Sequence, residues 1–296
     1  MNTLKMLALR EWMQQGRAWL LLAGVPLALL VVTALFGRLE TGDVSRDEIT
    51  PALLFYVSGA VGVVGMCALA LLVAALQSPG LARRDVQDRS IEFWLSLPVD
   101  HWRAVLVPMV MLLVGMPLLV MAVALLAAPV LGGLVTLRLS GASGLGQLDW
   151  LGYASAWAAL GLRMAMGIAV GALWLAPLAA LAMAVSAWFK RWGTVVFVGV
   201  VFIGAEVLSK VYDLHWPQQA LFDTLRRAVE GYTLIGGANT LPAVEQLGTT
   251  GFGPVAQALL ADVPVLLGGL VSVPFALGLG VAALGVWAQV LRRQRG

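Results

Sequence analysis

A chain of 296 residues in which 60% are hydrophobic and 12% charged carries about half the ~25% charged content of an ordinary soluble domain. That excludes a water-soluble fold, which would lack the polar groups to cover its surface. The net charge of +3 is spread along the chain with no dense basic tract, which excludes nucleic acid as a partner, and the lone Cys67 excludes a disulfide framework or a Cys-rich metal site.

Apolar runs long enough to cross a hydrocarbon core about 30 Å thick need ~20 helical residues. Six are expected in chain order: Ala18–Phe36, Ala52–Leu76, Ala104–Leu131, Met164–Phe189, Trp192–Tyr212 and Val263–Leu291. Residues 1–17 are too polar for a secretory leader. Leu4, Leu7 and Trp12 set among Lys5, Arg10, Glu11 and Arg17 predict an amphipathic helix lying on the inner leaflet. The first run is then a retained span. The fourth and fifth are separated only by Lys190-Arg191-Trp192-Gly193, whose two adjacent charges must reach an aqueous surface.

Lys and Arg counted in alternate loops set the orientation, because basic segments stay on the cytoplasmic side. Residues 1–17, 77–104, 190–191 and 292–296 hold twelve basic and five acidic residues, whereas 37–51, 132–163 and 213–262 hold six basic and ten acidic. The first set, with both termini, is expected in the cytoplasm. Trp12, Trp19, Trp188, Trp192 and Trp287 fall near the inner boundary and Trp150, Trp157 and Trp216 near the outer one, as two interfacial belts.

Within the spans, Pro26, Pro108, Pro117, Pro129, Pro177 and Pro274 are expected to kink helices and permit pivoting, and Gly167 and Gly171 form a small-xxx-small pair that admits a close helix. Glu206 and Lys210 are the ionisable residues well inside a proposed span. Their i, i+4 spacing allows a structural ion pair or a place on a substrate path.

The loop 77–103 has the densest run of alternating charge. Pro79-Gly80 is expected to break the arriving helix, and Asp88 or Ser90 to cap a new one that Pro98 stops. Ile91, Trp94, Leu95 and Pro98 share one face of that helix, with Asp88, Arg89 and Glu92 exposed, which suits docking into a groove on a partner. The stretch Arg84-Asp85-x-x-Asp88-Arg89-Ser90-Ile91-Glu92-Phe93-Trp94-Leu95-Ser96-Leu97-Pro98-Val99 resembles the segment after the second helix of ABC-2 type permeases. Two departures stand out: Arg89 replaces the usual glycine, and the third helix lacks the basic residue that often starts it.

The resemblance implies a coupling helix seated in a cleft of the nucleotide-binding subunit, with Arg84, Asp85, Asp88, Glu92, Phe93, Leu95 and Pro98 at the interface. It further implies an all-α integral membrane protein. The resemblance implies one permease domain over 1–296, with a six-helix ABC-2 (type V exporter-like) bundle and an N-terminal interfacial helix. The expected partners are ABC ATPase subunits, a second permease copy or paralogue, and the lipid bilayer. Export across a bacterial inner membrane is the expected activity. No Gly-x-x-x-x-Gly-Lys-Ser/Thr loop occurs in the chain, so ATP and Mg are expected on the partner ATPase, with no cofactor, metal or catalytic residue on this chain.

Residues 213–262 are expected to hold an outer helix from Pro217 to Val229 with Leu221, Leu225 and Val229 on one face, and a second short piece over Pro254 to Leu260. A membrane-embedded enzyme would need converging His, Cys, Asp or Glu groups. The two histidines, His101 and His215, are expected on opposite sides of the membrane. A non-transporting assembly or signalling permease that still docks an ATPase is the other alternative.

Overall fold

The computed structural model describes residues 3–38, 50–87, 100–235, 240–245, 247 and 251–294. In a hydrocarbon solvent every backbone N–H and C=O must be satisfied within the segment, so apolar stretches of Leu, Ala and Val coil into helices. Nine helices result among the described residues: α1 Thr3–Phe36, α2 Pro51–Gln87, α3 His101–Gly146, α4 Trp150–Phe189, α5 Gly193–Tyr212, α6 Trp216–Tyr232, α7 Thr240–Glu245, α8 Gly253–Gly268 and α9 Val273–Gln294. Six of them, α1 to α5 and α9, are long and apolar enough to cross a membrane, which makes the chain a multi-pass membrane protein.

Several expected boundaries are corrected. The stretch 1–17 is no separate interfacial helix, because α1 runs unbroken from Thr3 to Phe36. Its polar and apolar residues also do not divide between two faces, as a leaflet-bound helix would need. Leu7, Arg10 and Glu11 are buried while Leu4, Met6, Leu9 and Met13 are exposed. Burial of the charges is tolerated because the Arg10 guanidinium pairs with Glu11 at 2.7 Å. Trp19, expected half wet in the inner belt, is fully buried.

Pro79-Gly80 does not end α2, which continues to Gln87. Proline removes the bond normally made to the carbonyl four residues earlier, and for Pro79 that carbonyl is Ala75. The Ser78 hydroxyl donates to Ala75 O at 2.8 Å, so the freed acceptor is satisfied and the helix survives.

The same substitution recurs on α3. A π-helical stretch, Met111–Gly115, lies before Pro117, and Tyr232 donates its hydroxyl to Leu113 O, the carbonyl Pro117 leaves without a partner. Trp157 Nε1 donates at 3.2 Å to Leu125 O, four residues before Pro129. These prolines are clamped by side chains from neighbouring turns and helices, which opposes the free pivots expected of them. Pro274 sits at the second position of α9, where no bond is lost.

Residues 132–163, expected as an outer loop, are almost wholly helical: α3 extends to Gly146 and α4 begins at Trp150. The bend in the α3 extension is at Gly141, whose φ of 71° is open to glycine at no steric cost. The expected sixth span, Val263–Leu291, is interrupted. α8 ends at Gly268 and α9 starts at Val273, so the outer piece expected over Pro254 to Leu260 is part of a 16-residue helix.

α4 is the centre of the bundle. It packs against α2, α5, α6, α8 and α9, while α2 and α3 pair closely and α1 leans on α3. In its most apolar 18-residue window α4 is 72% buried, against 22% for α1 and 17% for α5 and α9. The outer faces of those three helices are therefore left to lipid or another chain.

Candidate functional site

The residues implied at the ATPase interface divide at the end of α2. Arg84 and Asp85 lie on its last turns, so they extend the second span as a continuous helical stalk. Asp88, Glu92, Phe93, Leu95 and Pro98 lie outside the described residues, as does the cap expected at Asp88 or Ser90. The chain re-enters the described structure at Asp100. Its carboxylate meets Arg103 Nε at 3.1 Å, and α3 starts at His101.

Glu206 and Lys210 form the expected ion pair at 2.7 Å, on a face of α5 that is largely exposed, with side chains 44% and 75% accessible. Gln218 Nε2 of α6 donates to Glu206 at 2.7 Å. The pair looks outward and stitches α5 to α6.

Besides Arg10–Glu11, a second ion pair among the described residues is withdrawn from solvent, on the central helix of the bundle. Arg163 on α4 is 1% exposed. Its Nε and Nη2 both lie 2.7 Å from Asp262 Oδ2 on α8. Its remaining donors reach the carbonyls of Gly231, at 3.2 Å from Nη1, and Glu230, at 3.0 Å from Nη2. Those carbonyls belong to the last turn of α6, which has no intrahelical donors for them and carries the negative end of the helix dipole. One guanidinium thus caps α6, neutralises Asp262 and ties both helices to α4.

The close approach that allows this is made by glycines. A Cβ on Gly167 would lie 2.1 Å from Gly231 O, and one on Gly231 would lie 2.5 Å from Gly167 O and 2.7 Å from Gly171 Cα. The Gly167–Gly171 pair therefore receives α6, as its spacing suggested. Tyr232, at the end of α6, is fully buried; burial, with Cys67 nearby, pushes its phenol well above the ordinary range. It stays a donor to Leu113 O.

Beside the ion pair a small open cleft of about 70 Å³ lies between α4, α6 and α8. Arg163, Asp262 and Glu230 line it together with the apolar Val170, Trp174 and Leu266, and Arg227 lies over Trp174. Sequence reasoning missed this site because Arg163 and Asp262 stood at the edges of expected loops. The available signal was an arginine inside the unbroken apolar pattern from Trp150 to Phe189.

His215 lies at the surface, with Nδ1 2.7 Å from Ser209 Oγ and Nε2 2.9 Å from Asp213. Among the described residues, no three His, Cys, Asp or Glu side chains are grouped as a metal site would need. No family model, curated protein or solved structure matches the chain.

Proposed function

We propose that this chain is the membrane-spanning permease subunit of an ATP-binding cassette exporter of the ABC-2 type, working in a bacterial inner membrane with both termini in the cytoplasm. The observation that carries the reading is the segment Arg84–Val99, which joins α2 to α3 and has the charge and apolar pattern of a coupling helix. The excess of Lys and Arg in the loops on its side of the membrane supports a cytoplasmic position, where an ATPase could reach it. Six apolar helices supply the span count such a subunit needs.

In this reading the segment is the fitting and α2 the lever. Closure of a nucleotide-loaded partner displaces residues 88–99. The displacement enters the bundle along α2, whose passage through Pro79 is held by the Ser78 hydroxyl, and reaches α3 and α4, against which α2 packs. ATP and Mg bind the partner subunit, and a second permease copy or paralogue supplies the other half of the path.

Purification of the tagged chain from its native membrane in a mild detergent tests this. The expected result is co-elution of an ATPase bearing a Gly-x-x-x-x-Gly-Lys-Ser/Thr loop. A lone polypeptide that is active without a companion would contradict it. An associated ATPase whose hydrolysis proceeds with no transported cargo would favour an assembly or signalling role.

A further inference from the structure

The cleft between α4, α6 and α8 holds four charged side chains, and three of them are already committed. Arg163 and Asp262 neutralise one another. Glu230 is held 3.4 Å from Arg226, which lies on the exposed side of α6. Arg227 is the remaining one: its guanidinium lies 4.9 Å above the Trp174 ring, and no carboxylate among the described residues pairs with it.

A bland role for Arg227 would be to cap the C-terminal end of α8, since a Cβ on Gly269 would come within 2.7 Å of its Nη1. Four of the carbonyls there already have donors, and no hydrogen bond joins Arg227 to the fifth, Leu266 O. Val265 O accepts from Gly269 N at 3.4 Å, Leu267 O from Leu270 N at 3.0 Å, Gly268 O from Val271 N at 3.1 Å, and Gly269 O from Ser272 Oγ at 2.8 Å. A guanidinium that lies over an indole and has no carboxylate partner presents its N–H groups to a ligand. That fork matches the two oxygens of a phosphate.

Depth narrows the ligand. The Lys190-Arg191 turn marks one membrane surface. At 1.5 Å per residue along α4, Trp174 lies about 26 Å from Arg191 and Arg163 about 42 Å from it. The cleft therefore spans the zone where a hydrocarbon core of ~30 Å gives way to the headgroups of the opposite leaflet. Its walls fit such a boundary, with Val170, Trp174 and Leu266 apolar and the paired charges polar.

We propose that this cleft binds a membrane amphiphile through a singly charged phosphodiester. Arg227 takes the phosphate oxygens, and Trp174 and Leu266 receive the first methylenes of the chains. The four charges that line the cleft sum to zero and reach +1 with Arg226, the partner of Glu230, which leaves Arg227 to one phosphodiester. The proposal is independent of ATPase coupling, because binding is read on the purified chain alone.

Native mass spectrometry of the detergent-purified protein with added phosphatidylglycerol tests it, with Arg227→Gln against Lys210→Gln as a control for an exposed cation outside the cleft. Loss of a charged hydrogen-bonding partner should weaken binding at least about tenfold in Arg227→Gln, with Lys210→Gln unchanged. Arg227→Lys, which keeps the charge but not the fork, should fall between wild type and Arg227→Gln. Equal lipid occupancy in wild type and Arg227→Gln would overturn the proposal. Displacement of the lipid by millimolar inorganic phosphate would also overturn it, in favour of a soluble-anion site. Should Arg227→Gln not fold, thermal melting of the wild-type protein decides. Phosphatidylglycerol should raise the melting temperature more than diacylglycerol, which lacks the phosphodiester, and equal shifts would refute the assignment.

Discussion

Arg163 and the Glu206–Lys210 pair show how burial, more than charge, sets what an ion pair contributes. Removing one partner of a buried, hydrogen-bonded pair leaves an uncompensated charge and costs roughly 3–5 kcal/mol, and Arg163 also serves two α6 carbonyls. An exposed pair contributes about 0–1 kcal/mol. Arg163→Met should therefore lower the melting temperature of the purified protein strongly, whereas Glu206→Gln should barely move it. Equal shifts would deny Arg163 its structural role. The exposed pair was legible in the sequence from its i, i+4 spacing alone. The buried pair joins residues 99 positions apart, and nothing local links them. Counting only enough residues to cross a bilayer left both in presumptive loops, although α4 continues about 20 Å beyond Arg163 toward its start at Trp150.

At the scale of elements, α6 is held to α4 by contacts that tolerate no side chain. A Cβ on Gly231 meets backbone of Gly167 and Gly171 at under 3 Å, whereas one on Gly280 of α9 meets nothing within 4 Å. Gly231→Ala should separate α6 from α4, break the Arg163 cap and expose the Arg226–Arg227 bonds to trypsin. Gly280→Ala should leave the digestion rate unchanged, and equal resistance of the two variants would contradict this packing. The number and rough position of the six apolar helices could be read from hydropathy, as could the amphipathic helix at Pro217–Val229. Helix ends could not. Whether proline breaks a helix depends on whether its freed carbonyl finds another donor, and here those donors include Ser78, Trp157 and Tyr232. The break between α8 and α9 was hidden for the converse reason: Gly269-Leu270-Val271 is as apolar as its flanks.

For the whole molecule, the thinly buried α1, α5 and α9 leave room for the second copy that the proposed exporter would need, and in that proposal the α2–α3 connection seats the ATPase. Sidedness is directly measurable, because Cys67 is buried and contributes little background labelling. Ser90→Cys should react with a membrane-impermeant maleimide in inverted vesicles and stay unlabelled in intact cells. Labelling from outside would reverse the orientation and remove the coupling role.

The most direct measurement is ATP hydrolysis and subunit composition of the complex purified through this chain, compared between wild type, Glu92→Arg and Pro98→Asp. Reversing a charge at the rim of the coupling segment, or placing a carboxylate on its apolar face, should release the ATPase and abolish hydrolysis coupled to transport, while the permease itself remains folded and in the membrane. An ATPase retained in full with coupled hydrolysis unchanged would contradict the assignment of residues 84–99 as the site where the engine grips.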